Sequence, residues 1–181
     1  MISLLILLLL AWNFYIGYHR GIILQTYYVI ASLISLGIAI VYYKRLANVL
    51  TLWIPYSNAS ENASVAFFKT VNLFELDQVF YAGLAFFTIY VLVYFVFRLL
   101  GIFVHLVKTD RFNKETLNYF SGAMAVLVTM LTVSLFLNVL AAIPMSSLQI
   151  ILSESLIIRL LIDFPLFSWF INYFWVTTIV K

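Results

Sequence analysis

The chain has no cysteine and few charges: its 181 residues include three prolines, ten basic side chains and seven acidic ones. Without cysteine there is no disulfide, no thiolate metal site and no thiol nucleophile, and the redox compartment cannot be read from the sequence. Charged residues make up 9% of the chain against 65% hydrophobic, far below the roughly one quarter that coats an ordinary soluble domain. The mean hydropathy of +1.10 agrees, so the chain is built for a bilayer rather than for water. A formal charge of +3 is too small and too scattered for a nucleic-acid surface, and no nucleic-acid partner is expected. The charges read as markers of topology. Aromatic residues at 18% fit rings held at a membrane interface.

What is abundant is apolar length. The first run, Ile2 to about Ile16, has no basic residue before it and has His19 and Arg20 after it. A signal peptide has the opposite order, so this run is expected to stay as a helix over 2–19. The second run, 22–43, has full spanning length and is closed by Lys44 and Arg45. Only Gly17 to Gly21 separates the two, which predicts an antiparallel hairpin of helices. From Leu46 to Leu76 the composition turns mixed, with Pro55, Ser57, Asn58, Ser60, Glu61, Asn62 and Ser64 marking a loop. Asn58-Ala-Ser60 and Asn62-Ala-Ser64 match the glycosylation pattern, which by itself is a weak signal. Further spans are predicted over 79–107 and, after a short charged loop, over 121–143, stopped at Pro144.

The remainder differs. Ser146 and Gln149 have capping-box spacing, and a helix over 146–162 would carry Gln149, Ser153, Arg159 and Asp163 within one arc. Asp163 is placed to cap a last helix, 164–180, with Pro165 in its first turn and Trp169, Tyr173 and Trp175 along it. With about 16 residues it is read as lying in the interface rather than spanning. The predicted class is therefore all-α: a single polytopic membrane domain over 1–181, with about four transmembrane helices and C-terminal interfacial amphipathic helices. Arg20, Lys108, Arg111 and Lys114 fall on one side, and Lys44, Arg45 and Lys69 on the other. The positive-inside rule favours the first set as cytoplasmic, with both termini and the loop at 57–64 outside.

Polar and small residues inside the spans lie in stripes. On the second helix Gly21, Gln25, Tyr28, Ser32, Ser35, Ala39 and Tyr42 recur at alternating steps of four and three. On the fourth, Asn118, Gly122, Ala125, Thr129 and Thr132 do the same. Such faces let helix backbones approach and bond across the contact, and helix packing is the preferred reading. The alternative is that the same groups line a polar path for a solute. The third helix aligns Tyr90, Tyr94, Arg98, Gly101 and His105. Arg98 is expected to snorkel toward the cytoplasmic loop, and a charge facing a cavity or partner is the alternative.

No catalytic signature occurs: G-x-S-x-G, H-E-x-x-H, G-x-G-x-x-G and the P-loop are all missing, and Ser121 and Ser134 lack a base at helical spacing. Two histidines, His19 and His105, without carboxylates at matching spacing do not make a metal site. No catalytic, cofactor-binding or metal-ligating residue is assigned, and no cofactor is expected.

The Gly17-Tyr-His-Arg20-Gly21-Ile-Ile-Leu-Gln25 hairpin carries a family likeness, together with the Tyr42-Tyr-Lys-Arg-Leu-Ala47 ending, Leu117-Asn118 before Gly122-Ala123, and Ile143-Pro144 leading to Phe164-Pro-Leu-Phe-Ser168. In order and spacing the sequence resembles the colicin V production (CvpA-like) family of bacterial inner-membrane proteins over nearly its whole length. It departs from the family's glycine repeat on the fourth helix at Val126 and Met130, where Ala123 and Ala125 are the expected substitutes. The resemblance implies a non-enzymatic multi-pass protein of the cell membrane, connected with production or secretion of a peptide toxin. It also singles out Gly17, Arg20 and Gly21 as the hairpin motif. Lipid and either further copies of the chain or other membrane or secretion proteins are the expected partners. The competing readings are an oligomeric transporter or channel subunit, and a membrane anchor for a soluble partner. Loss of the Arg20 charge is expected to disturb orientation, and bulk at Gly21 to obstruct hairpin closure.

Overall fold

A computed structural model describes residues 2–56, 65–68, 71–72, 75–104 and 114–179. Expectations for His105, Lys69, Lys108, Arg111 and the 57–64 segment lie outside these residues.

The chain is all helical among the described residues. In order come α1 (Ile2–Arg20), α2 (Ile22–Trp53), α3 (Leu76–Val104), α4 (Glu115–Ala141), α5 (Ser146–Glu154), α6 (Leu156–Ile162) and α7 (Pro165–Ile171), which continues into a π-helical turn over Asn172–Thr177. The first four are long and apolar enough to cross a membrane. Their apolar residues run all round the helix, as lipid requires, and α1 buries only Ile6 and Gly17.

Several boundaries differ from the sequence expectation. α2 does not end at Tyr43 but continues to Trp53, because nothing in Lys44–Trp53 breaks a helix until Pro55 removes a donor. Lys44 and Arg45 therefore do not mark where α2 stops. α4 begins six residues early, at Glu115, whose carboxylate suits the positive end of a helix dipole.

The expected helix over 146–162 is two helices. Ser155 adopts an extended conformation (φ −89°, ψ 115°), and its hydroxyl accepts the Ile158 N–H at 3.3 Å, ending α5 and starting α6 together. The expected capping box is not formed, for α5 begins after Met145 without a side-chain cap. Gln149 has another task. Its amide donates to the carbonyls of Ala141 (3.0 Å) and Ile143 (2.8 Å), and its Oε1 accepts the Ala66 N–H at 2.9 Å. Pro144 has no N–H to offer the last turn of α4, and the buried Gln149 amide supplies a donor to the Ala141 carbonyl; the Ile143 carbonyl also accepts the Met145 N–H at 2.9 Å. Gln149 is therefore buried rather than part of a wet arc, whereas Arg159 and Asp163 are exposed. Asp163 likewise closes α6 through its backbone N–H instead of capping α7, whose N-cap is Phe164 with Pro165 following. α6 and the Pro165–Thr177 segment meet at 57° and together are apolar enough to cross, as a broken span or a re-entrant piece.

Two compact units divide the chain: Met1–Ile38 with Tyr90–Thr132, and Ala39–Ile89 with Val133–Lys181. In the second, Trp175 is fully buried, while Trp169 and Tyr173 are exposed. Its indole lies on Gly83, where an added Cβ would come within 2.7 Å of the ring. Phe86 joins this cluster, 6.0 Å from Trp175 and 5.8 Å from Tyr43 between ring centres. The Tyr43 hydroxyl donates to the Phe174 carbonyl at 2.8 Å, and the Ser134 hydroxyl to that of Leu161 at 2.8 Å. Tyr56 donates to the Ala142 carbonyl at 2.8 Å, and burial, with Asp77 and Tyr81 nearby, pushes its phenol well above the ordinary tyrosine range.

Candidate functional site

The hairpin motif and the stripes over Gly21–Ser35 and Asn118–Thr132 fall in the first unit, whereas Ala39 and Tyr42 fall in the second. Gly21 joins α1 to α2 at φ +83°, a left-handed conformation that an L side chain adopts only under strain, and its carbonyl accepts the Gln25 N–H at 3.1 Å. No atom lies within 4 Å of where a Cβ would stand, so the position demands glycine for its backbone angle and not for space. The expectation of a steric role is corrected accordingly.

Space is what Gly17 provides. A Cβ there would stand 2.5 Å from the Ala125 Cβ and 2.9 Å from the Ser121 carbonyl oxygen. Reciprocally, a Cβ on Gly122 would meet the Phe14 ring at 2.7 Å. The Ser121 hydroxyl, buried, donates to the Gly17 carbonyl across this contact. α1 and α4 therefore approach backbone to backbone through Gly17, Ser121, Gly122 and Ala125, the small-residue geometry of membrane helix pairs. Ala125 stands in for the missing glycine repeat; Ala123 does not, being exposed. Asn118, one turn earlier than Gly122, is half-buried.

Arg20 is half-buried, its guanidinium 4.5 Å from the centre of the Tyr28 ring. A cation over an aromatic face gains about 0.5–2 kcal/mol, more where water is excluded. Tyr28 in turn lies against Gly101 of α3, where a Cβ would meet its hydroxyl at 2.6 Å. One stack thus ties the end of α1 to α2 and α3. Arg98 stays exposed on α3.

Deeper in the unit, Gln25, Tyr28, Ser32 and Ser35 are all buried. The Ser32 and Tyr90 hydroxyls lie 2.9 Å apart, and Tyr90 reaches Thr132 at 3.2 Å, linking α2, α3 and α4 by three hydroxyls. Tyr94 stacks parallel to Tyr90, with ring centres 5.9 Å apart. Ser35, Thr129 and Thr132 also return hydrogen bonds to carbonyls one turn back on their own helices, at 2.7, 2.9 and 2.9 Å. Thr129 and Thr132 are half-buried. Hydrogen bonds between membrane helices contribute only about 0.6 kcal/mol on average, so this cluster fixes which faces meet more than it supplies stability. Among the described residues Gln25 Oε1 is buried without a partner. No group of three metal-ligating side chains occurs among them.

Sequence periodicity missed Phe14 and Ser121 as contact residues. A small residue opposite a glycine was the available signal for Ser121, whereas an apolar residue on an apolar helix gives none for Phe14.

Four helices fit to cross a bilayer, lipid-ready outer faces and an inward seam of small and polar groups define a multi-pass α-helical membrane protein. The model of the colicin V production protein family matches residues 2–165, and the chain belongs to that family. It is similar to an uncharacterized transmembrane protein, YshB, of Bacillus subtilis (strain 168), with 26% identity over 176 residues covering 97% of each chain. No solved structure matches the chain.

Proposed function

We propose that this protein is a non-enzymatic factor of the bacterial cell membrane that supports production or secretion of a colicin V-type peptide toxin. In this reading the helices form a scaffold that binds further copies of the chain or other membrane or secretion proteins, and needs no cofactor. One observation carries it: the family match runs over residues 2–165 and so takes in all four long helices rather than a single motif. Gly17, Arg20 and Gly21 hold the hairpin. The faces of Gln25, Tyr28, Ser32 and Ser35 on α2, and of Asn118, Gly122, Ala125, Thr129 and Thr132 on α4, serve helix packing. Arg98 snorkels toward a cytoplasmic surface, with both termini outside. The test is deletion of the gene in a toxin-producing strain, reading secreted toxin activity. A fall that the intact gene restores is expected; unchanged secretion overturns the proposal.

A second reading, an oligomeric path for a small solute, is favoured by the unpartnered Gln25 Oε1 beside a ladder of hydroxyls. A buried amide oxygen without a partner costs about 1–3 kcal/mol, which a passing solute or a second copy would offset. Flux into proteoliposomes that disappears with Ser32→Leu or Thr129→Leu supports this path, and flux equal to that of empty vesicles removes it. A membrane anchor would instead give one stoichiometric soluble partner on crosslinking.

A further inference from the structure

The extension of α2 beyond its expected end has a polar face, and that face lines a cavity. Lys44, Asn48 and Thr51 recur at four- and three-residue steps on α2, opposite Asp77, Gln78 and Tyr81 in the first turns of α3, around a cavity of about 320 Å³ within the second unit. Ala47, Ala82 and Ile179 give it apolar walls. Its volume is close to the lower end of the range typical of small-molecule sites.

The two charges are of opposite sign and are not spent on ion pairs among the described residues. The Lys44 ammonium makes one long bond, 3.5 Å, to the Thr178 carbonyl. One oxygen of Asp77 accepts the neighbouring Gln78 N–H at 2.7 Å, which leaves acceptor positions on the carboxylate. Tyr81 is committed to the Ile54 carbonyl at 2.6 Å and presents its ring as a wall. A simple anion in this cavity would meet Asp77, and a simple cation would meet Lys44. The complement is a molecule carrying both charges, with a short carbon link against the apolar walls.

Depth agrees. At 1.5 Å per residue, Lys44 stands about 33 Å along α2 from Ile22, close to the roughly 30 Å thickness of hydrocarbon, so the cavity lies at headgroup level.

We propose that this cavity binds a small zwitterion, its ammonium against Asp77 and its anionic group against Lys44, with Asn48, Thr51 and Gln78 offering further hydrogen bonds. The chemistry is shared by a free amino acid and by a phosphoethanolamine lipid headgroup. The full chain in nanodiscs of phosphatidylglycerol alone is titrated with glycine, glycerophosphoethanolamine, and the single-charge probes ethanolamine and dimethyl phosphate, reading binding by calorimetry and ligand NMR. At least one zwitterion is expected to bind below about 10 mM, with both single-charge probes weaker by about tenfold or more. Preference for glycine identifies a free solute, and preference for glycerophosphoethanolamine identifies a lipid headgroup. Lys44→Gln and Asp77→Asn should each weaken the preferred zwitterion by about tenfold or more. The proposal is overturned if no zwitterion binds, if either single-charge probe binds as tightly, or if both variants fold and bind as the unaltered chain does. Should a variant fail to assemble, the comparison of probes on the unaltered chain decides.

Discussion

Glycine acts in two separate ways within five residues of this chain, and substitution separates them. At Gly21 a methyl group meets nothing but must sit at φ +83°, so Gly21→Ala is expected to cost about 1–2 kcal/mol. At Gly17 the backbone angle is ordinary but the methyl would collide with Ala125 and the Ser121 carbonyl on a facing helix. Gly17→Ala is expected to cost about 1–3 kcal/mol, and Gly17→Leu to prevent the α1–α4 contact. Unfolding measured in a bilayer by steric trapping checks both. A tolerated Gly17→Leu would contradict the close approach. Tyr90→Phe removes the shared partner of Ser32 and Thr132 while keeping the ring, and should cost about 0.6–1.7 kcal/mol in the same measurement. Removal of Ser32 after Tyr90→Phe should then cost less than its removal alone, since the two act through one bond. At this scale the sequence was readable where a residue type has one use. The periodic step chose Tyr42 for the inward face, but the next buried tyrosine is Tyr43, because the buried stripe of α2 continues by fours through Ala39, Tyr43 and Ala47. Tyr42 is exposed.

Among the elements, hydropathy located the long helices and misplaced their ends. Apolar length reports where hydrocarbon begins and ends, whereas a helix ends where its backbone donors or acceptors find other partners. α2 shows the difference over Lys44–Trp53, whose charged and polar residues interrupt the apolar run but keep the helical ladder. Hydrogen exchange of the protein in nanodiscs should therefore find the amides of residues 46–53 protected. Exchange there as fast as in an unstructured peptide would restore the shorter helix. The C-terminal helices were less legible for a related reason. Ser-x-x-Gln spacing reads as a capping box, but Gln149 is drawn to the Ala141 and Ile143 carbonyls where α4 ends, a demand created by Pro144 and by folding rather than by local sequence. Gln149→Leu should take these partners from the Ala141 carbonyl and the Ala66 N–H, while Ile143 keeps the Met145 N–H, and cost about 1–3 kcal/mol, measured by the same unfolding assay. A cost no greater than that of an exposed substitution such as Ile150→Ala would contradict this assignment.

For the molecule as a whole, composition alone decided the solvent, and the class of fold followed from it. What composition could not decide is which side chains meet. Lipid tails are as apolar as leucine, so helices have little hydrophobic reason to associate and depend on small and polar groups for their pairing. That makes the contact between α1 and α4 the most exacting part of the structure. The chain has no cysteine of its own, so introduced pairs report without background. Tyr18→Cys combined with Tyr119→Cys, at positions whose native rings lie 5.2 Å apart across this contact, should be joined by a short bis-methanethiosulfonate reagent in native membranes, with the lipid-exposed pair Leu9→Cys and Leu127→Cys failing under the same conditions. Efficient closure of the first pair alone is the predicted result; no closure of the first pair, or equal closure of both, would contradict an inward seam of small residues.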